Sequence, residues 1–248
     1  GDGQVADEQK IDHVYLTAGV YPVKLTVRLG GNSDSRTEKI VADRDFAHLT
    51  PPDNDDLSIQ SKLVATYDLN AMEPRDLIRA VFMHQRAGQF GPMQATAEKL
   101  ASLKKQSDPE NAYAAVYEAA QSLLTRTGPA AEAALWARVP GESNLQPRAG
   151  RQQARALLWG LGDFAKAADV LRAGNPKDPQ IRRLLGMAMV LNGSVDAGEK
   201  ILRDLPAQGD PDKRAAISGA MARTIEYFIQ DRDPAAGDEQ WDKWQSRY

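Results

Sequence analysis

The hydrophobic pattern changes period along the chain. Over the first 45 residues it repeats every two. From Tyr21 to Leu29 one face reads Tyr21, Val23, Leu25, Val27, Leu29 and the other Pro22, Lys24, Thr26, Arg28. That alternation predicts a half-buried strand with one apolar face. Gly30-Gly31-Asn32 supplies residues that tolerate positive φ, which predicts a turn, and a shorter strand over roughly Arg36 to Val41 pairs back as a hairpin. An earlier strand is expected near Ile11 to Tyr15, with Ala18-Gly19 as its turn. Residues 46–73 read as a linker. Thr50 to Asp56 is turn-rich and acidic, and the pattern from Leu57 to Leu69 fits a short helix or a strand equally well.

From Pro74 onward the apolar spacing is helical. Pro74, Pro109, Pro147, Pro179 and Pro211 stand 35, 38, 32 and 32 residues apart. Each stands just before or at the start of a helical run, where a missing amide proton costs nothing. Turns are expected at Gly88, Gly128, Gly162 and Gly193, spaced 40, 34 and 31. Asp108, Asp178 and Asp210 directly precede a proline and can cap the helix that follows. A helix pair recurring at this interval is the signature of a stacked solenoid. Five hairpins are expected: 74–108, 109–146, 147–178, 179–210 and 211–248. Gly162 to Arg172 aligns with Gly193 to Arg203, and a small residue lies five places after three of the turn glycines (Ala133, Ala167, Gly198). With Leu185-Gly186 in the preceding helix, these let paired helices approach closely.

Two resemblances follow from these motifs. Gly1-Asp2-Gly3, the His13/Tyr15 pair and Gly19 to Val27 resemble the second half of a polycystic kidney disease (PKD) domain, an immunoglobulin-like β-sandwich. The strands that would precede Gly1 in that family are missing from the sequence. The exposed apolar face is therefore expected to be covered by a longer parent chain or by the helical region. Leu185-Gly186, Gly162-Asp163-Phe164, the small residue five places on and the junction prolines resemble tetratricopeptide (TPR) repeats, best from Pro147 to Pro211. The fold class expected is mainly α: a solenoid of about five TPR-like hairpins over 74–248, preceded by a small antiparallel β segment over 1–45 from a partial PKD sandwich.

Composition adds mainly exclusions. Hydrophobic residues make up 42% and charged residues 26%, which is ordinary for a globular protein. With 31 basic and 34 acidic side chains the net charge is −3, which makes no electrostatic case for nucleic acid. No apolar stretch approaches the roughly 20 residues of a membrane span. There is no cysteine, so disulfides and thiolate chemistry are excluded. A chain beginning Gly1-Asp2-Gly3 without an initiator methionine is expected to be a fragment or a processed product.

Little in the chain suggests catalysis. His13, His48 and His84 lie in three different segments without metal-ligand spacing, and no nucleophile elbow, phosphate loop or dinucleotide fingerprint appears. His84, beside Gln85 and Arg86, is expected at the surface. Asp53, Asp55 and Asp56 lack the glycine and downstream glutamate of an EF-hand loop, so a solvated loop is expected over a calcium site; Asp2 carries no stronger case. No cofactor or metal is expected.

Arginines gather in the first helices of several units: Arg75, Arg79, Arg86, Arg148, Arg151, Arg155, Arg182, Arg183, Arg214 and Arg223. In TPR-like repeats first helices line a concave face that holds extended peptides, and the repeat register places Phe82, Arg86, Arg126, Trp159 and Arg183 there. That implies a mildly basic groove for an acidic or C-terminal peptide, weighed against arginines that simply form solvated helix faces. Trp241, Trp244 and Tyr248 share one helical face and are expected to pack on the preceding helix.

The expected function is non-catalytic protein–protein interaction, as a scaffold module of a larger extracytoplasmic protein; the location rests on the PKD resemblance alone. The alternatives are an accessory region of a large extracytoplasmic hydrolase, or a carbohydrate- or calcium-binding module.

Overall fold

The structure, a computed structural model, describes residues 3–8, 10–42, 54–175 and 177–205. The expected fifth hairpin, with Asp210, Pro211, Trp241, Trp244 and Tyr248, lies outside these residues. His48, Asp53, Asp2, Arg214 and Arg223 lie outside them too.

Strands β1 (Gly19–Leu29) and β2 (Asn32–Ala42) form one antiparallel hairpin with Tyr21 opposite Ile40, Leu25 opposite Arg36 and Leu29 opposite Asn32. Gly30, at φ 57°, takes the first central position of the two-residue turn. Only a residue without Cβ sits comfortably there, and the twist of such a turn matches that of the strands. Both strands are longer than expected because the tight turn keeps every residue in register from the first pair outward.

The apolar face of β1 is present as read, but among the described residues only Tyr21 on it is buried. Leu25, Val27 and Leu29 are 63%, 58% and 84% exposed. Among the described residues these side chains remain exposed. The expected strand at Ile11 to Tyr15 does not form. Its Val14 amide donates to the Tyr67 hydroxyl at 2.7 Å, and the His13 ring stacks on Tyr67 at 5.0 Å between centroids. A side chain from the helical region has taken the place of a neighbouring strand.

The helices follow: α1 (Asn54–Val64), α2 (Pro74–Arg86), α3 (Phe90–Ala101), α4 (Pro109–Arg126), α5 (Pro129–Trp136), α6 (Gln146–Arg155), α7 (Phe164–Arg172), α8 (Pro179–Leu191) and α9 (Val195–Arg203). A π-helical turn, Ala156–Leu161, continues α6 without a break. The ambiguous stretch from Leu57 thus opens as helix, in α1. Pro74, Pro109 and Pro179 open their helices and Pro147 is second in α6. The four turn glycines all have positive φ (67°, 106°, 62° and 83°), so each hairpin turns where expected. Asp178 accepts from the amides of Gln180 and Ile181 at 2.8 and 3.4 Å, and Asp108 accepts from Asn111 at 3.2 Å.

By packing, the chain forms two compact units. The first runs to Leu123 and includes Arg138–Asn144; the second comprises Leu124–Ala137 and the chain from Leu145. The boundary falls inside α4. Arg138–Asn144 accounts for the 38-residue step between Pro109 and Pro147. It is held in the first unit by Asn144, whose side chain bonds the backbone of Gln106 at 3.3 and 3.1 Å, and by a Lys104–Glu142 ion pair at 3.0 Å.

The core of the second unit is built from small and branched residues, among them Ala133, Ala154, Leu158, Ala167, Leu171 and Leu191. Within it, α8 and α9 approach closely. A Cβ at Gly198 would lie 2.6 Å from the Gly186 carbonyl oxygen, and one at Gly186 would lie 2.7 Å from Leu202 Cγ. Two facing glycines thus bring these backbones together.

Candidate functional site

The five residues expected to line a groove divide between the two units. Phe82 and Arg86 stand on α2 in the first unit, four residues apart and so on one side of the helix. Phe82 is half-buried and Arg86 exposed, while Leu77, Ile78, Ala80 and Val81 fill the core-facing side. In the second unit Arg126 ends α4, Trp159 sits in the π-helical turn and Arg183 lies in the second turn of α8. All three are exposed, Trp159 at 38%.

Trp159 lies in a π-helical turn that buries Ala156, Leu157 and Leu158 in succession and leaves Trp159 exposed, much as the α-helix α8 buries Gly186, Met187 and Ala188. The π-helical turn is wider than an α-helical one. It is closed by the Asp163 amide donating to the Leu157 carbonyl at 2.9 Å, with Gly162 left-handed at φ 62°. Gly160 lies against the start of α5, where an added Cβ would come within 2.3 Å of Pro129 Cβ. Nothing in the helical spacing of the sequence signals this turn; the clue is the pair of glycines flanking Leu161.

Several arginines grouped by the sequence are engaged in local pairs. Arg75 bonds Glu73 at 3.0 Å, and Arg151 reaches both Gln180 at 2.6 Å and Asp178 at 3.5 Å. Arg79 donates to the Leu16 carbonyl. Of these, Arg79 and Arg151 link segments distant in sequence, whereas the exposed Arg75–Glu73 pair contributes little. Near α5, burial pushes the Glu132 carboxyl up, opposed by the nearby Trp136 indole and by the charge of Arg155.

His84 corrects the surface expectation. It is fully buried; its Nδ1 lies 2.7 Å from Ser61 Oγ, itself fully buried on α1, and its Nε2 is enclosed without a hydrogen-bond partner. Burial lowers its pKa to about 4, so the ring is neutral at physiological pH. The pattern held the signal: Leu77, Val81 and His84 follow at helical spacing on the buried side. A serine beside a histidine is the arrangement of an activated nucleophile. Enclosed in the packing between α1 and α2, this pair acts as an interhelical hydrogen bond.

A cleft of about 350 Å³ opens in the first unit beside the end of α1, lined in part by Glu8, Lys10, Asp12, His13 and Tyr67. Among the described residues no group of three or more His, Asp or Glu is arranged to hold a metal ion. Asp55 and Asp56 occupy the first turn of α1, where their charge favours the helix. No described helix is long and apolar enough to cross a membrane.

A family model for the PKD domain matches residues 1–42, and one for the tetratricopeptide repeat matches residues 158–223. No curated protein and no solved structure matches the chain. It joins a PKD part to a run of TPR-like helical repeats, two kinds of module that suggest protein interaction or scaffolding.

Proposed function

We propose that the chain is a non-catalytic protein-interaction module whose helical hairpins hold an acidic or C-terminal peptide. The observation that carries this reading is the exposed set Arg126, Trp159 and Arg183 in the second unit, on helices whose other sides are packed into a core of small residues. Guanidinium groups can engage carboxylates in bidentate fashion, and an exposed indole offers apolar area at little entropic cost. Phe82 and Arg86 present a similar pairing in the first unit. The division expected from the sequence, a sandwich part over 1–45, a connecting segment over 46–73 and helical repeats over 74–248, is retained in this reading. The PKD match supports an extracytoplasmic setting, periplasmic, cell-surface or secreted.

The test is a peptide library varied in acidic content and in free or amidated C-termini, probed with the full chain. Binding of the selected peptides is expected to weaken at least tenfold in Arg183→Ala and in Trp159→Ala. Peptides bound equally well by the parent and both variants would overturn the assignment. Protease accessibility of the protein in intact native cells tests the location; full protection of a correctly folded pool counts against an extracytoplasmic site.

A further inference from the structure

The extended segment from Gly3 to Tyr21 is attached at intervals to α2 and to the loop that leads into it. Gly3, at φ 80°, lies against Ala71 so closely that a Cβ would come within 2.7 Å of its Cβ. The Gln4 amide bonds the Asp68 backbone through both its oxygen and its nitrogen, at 2.8 and 3.2 Å. His13 stacks on Tyr67, whose hydroxyl receives the Val14 amide. Arg79 donates to the Leu16 carbonyl. Thr17, buried, donates its hydroxyl to the buried carboxylate of Asp76. Tyr21, the first large residue of β1, donates to the Thr17 carbonyl and packs against Tyr15 at 4.3 Å between centroids.

We propose that this segment is a strap that locks the β-hairpin to α2, so that sheet and first helical hairpin move as one body. The residues that resemble the PKD pattern, Gly3, His13, Tyr15 and Tyr21, are the ones that make or support the attachment. Asp76 and Arg79 anchor the strap in the N-terminal half of the same helix that carries Phe82 and Arg86 near its other end. Any displacement of the sheet is therefore delivered to α2 rather than absorbed by a hinge. The inference stands on the hydrogen bonds of the strap alone and does not depend on peptide binding.

The absence of cysteine allows two labels to be placed without interference. Spin labels at Thr26→Cys on β1 and Ala95→Cys on α3, both exposed positions, report the distance between hairpin and helices in the full chain. A single narrow distribution is expected. Thr17→Val removes the hydroxyl donated to Asp76, and Tyr67→Phe keeps the ring stack but removes the acceptor for Val14. In each variant the distribution should broaden, and amides of residues 12–21 should exchange with deuterium about ten- to a hundredfold faster while those of α3 keep their protection. A broad distribution in the parent overturns the strap. Tyr67→Phe serves as the milder variant should Thr17→Val lose helical content. If its distribution stays narrow and its exchange unchanged, the strap is equally overturned.

Discussion

Acidification should destabilise the first unit through His84. Its folded pKa is about 4, against an ordinary value of 6.5, because the ring is buried and Nε2 faces no acceptor. Between those values the unfolded chain binds a proton that the folded chain refuses, so stability falls as pH drops from 6.5 toward 4. At about 1.4 kcal/mol per pH unit the full effect approaches about 3 kcal/mol, of which about 2 kcal/mol is lost between pH 7.5 and pH 5. Other groups have different windows. Asp108, Asp163 and Glu142 have lowered pKa values, so their contribution is lost in more acidic solution, while Glu132, raised by burial, works in the opposite direction to His84. The comparison must therefore be between parent and variant. Denaturant unfolding followed by helical signal at pH 7.5 and pH 5 should show a loss in the parent larger by about 2 kcal/mol than in His84→Asn. The variant will be weaker at both pH values, since it disturbs a buried pair; the pH difference is the diagnostic. Equal losses in parent and variant would refute the reasoning.

Other predictions concern close contacts and the open sheet. Gly198→Ala places a Cβ 2.6 Å from the Gly186 oxygen and 2.8 Å from Val190 Cγ2, and should lower the stability of the second unit by about 1–3 kcal/mol, read as a drop in denaturation midpoint. Unchanged stability would mean that α8 and α9 can separate without cost. Gly160→Ala should be destabilising in the parent and much less so in a Pro129→Gly background, because the clash is with Pro129 Cβ; a double-mutant cycle showing strict additivity would rule out that contact. Leu25→Lys with Val27→Lys should change stability by less than about 0.5 kcal/mol and reduce binding of a hydrophobic dye, since both side chains are mostly exposed. A cooperative loss of the hairpin in that variant would show that the face is covered.

The helical hairpins were legible because their punctuation is local. Proline at a helix start, aspartate at a cap and glycine at positive φ each act within four residues, and a period of thirty-odd residues made the pattern visible. The strand alternation was equally plain. What the sequence did not show depends on distant partners. Tyr67 takes the Val14 amide from 53 positions away, and that contact replaces the strand expected at Ile11 to Tyr15. The two compact units meet inside α4 because Arg138–Asn144 packs with the first unit, which spacing alone does not reveal. Of the candidate groove residues, Arg86, Arg126, Trp159 and Arg183 are exposed and Phe82 is half-buried, and their division between two units could not be read from period.

His84 and Trp159 show why a polar or aromatic letter is a weak guide to position. Neighbours Gln85 and Arg86 pointed His84 outward, whereas the residues one and two turns earlier, Val81 and Leu77, pointed it inward, and the helix obeyed the latter. For Trp159 the bulkiest side chain of its helix is exposed, while Ala156, Leu157 and Leu158 just before it are buried. A wider turn has poorer hydrogen-bond economy than a regular one and is often found at functional positions. Here Trp159 is exposed in the same unit as Arg126 and Arg183. The proposed peptide surface places its aromatic anchor at this turn, so the first substitution goes to Trp159.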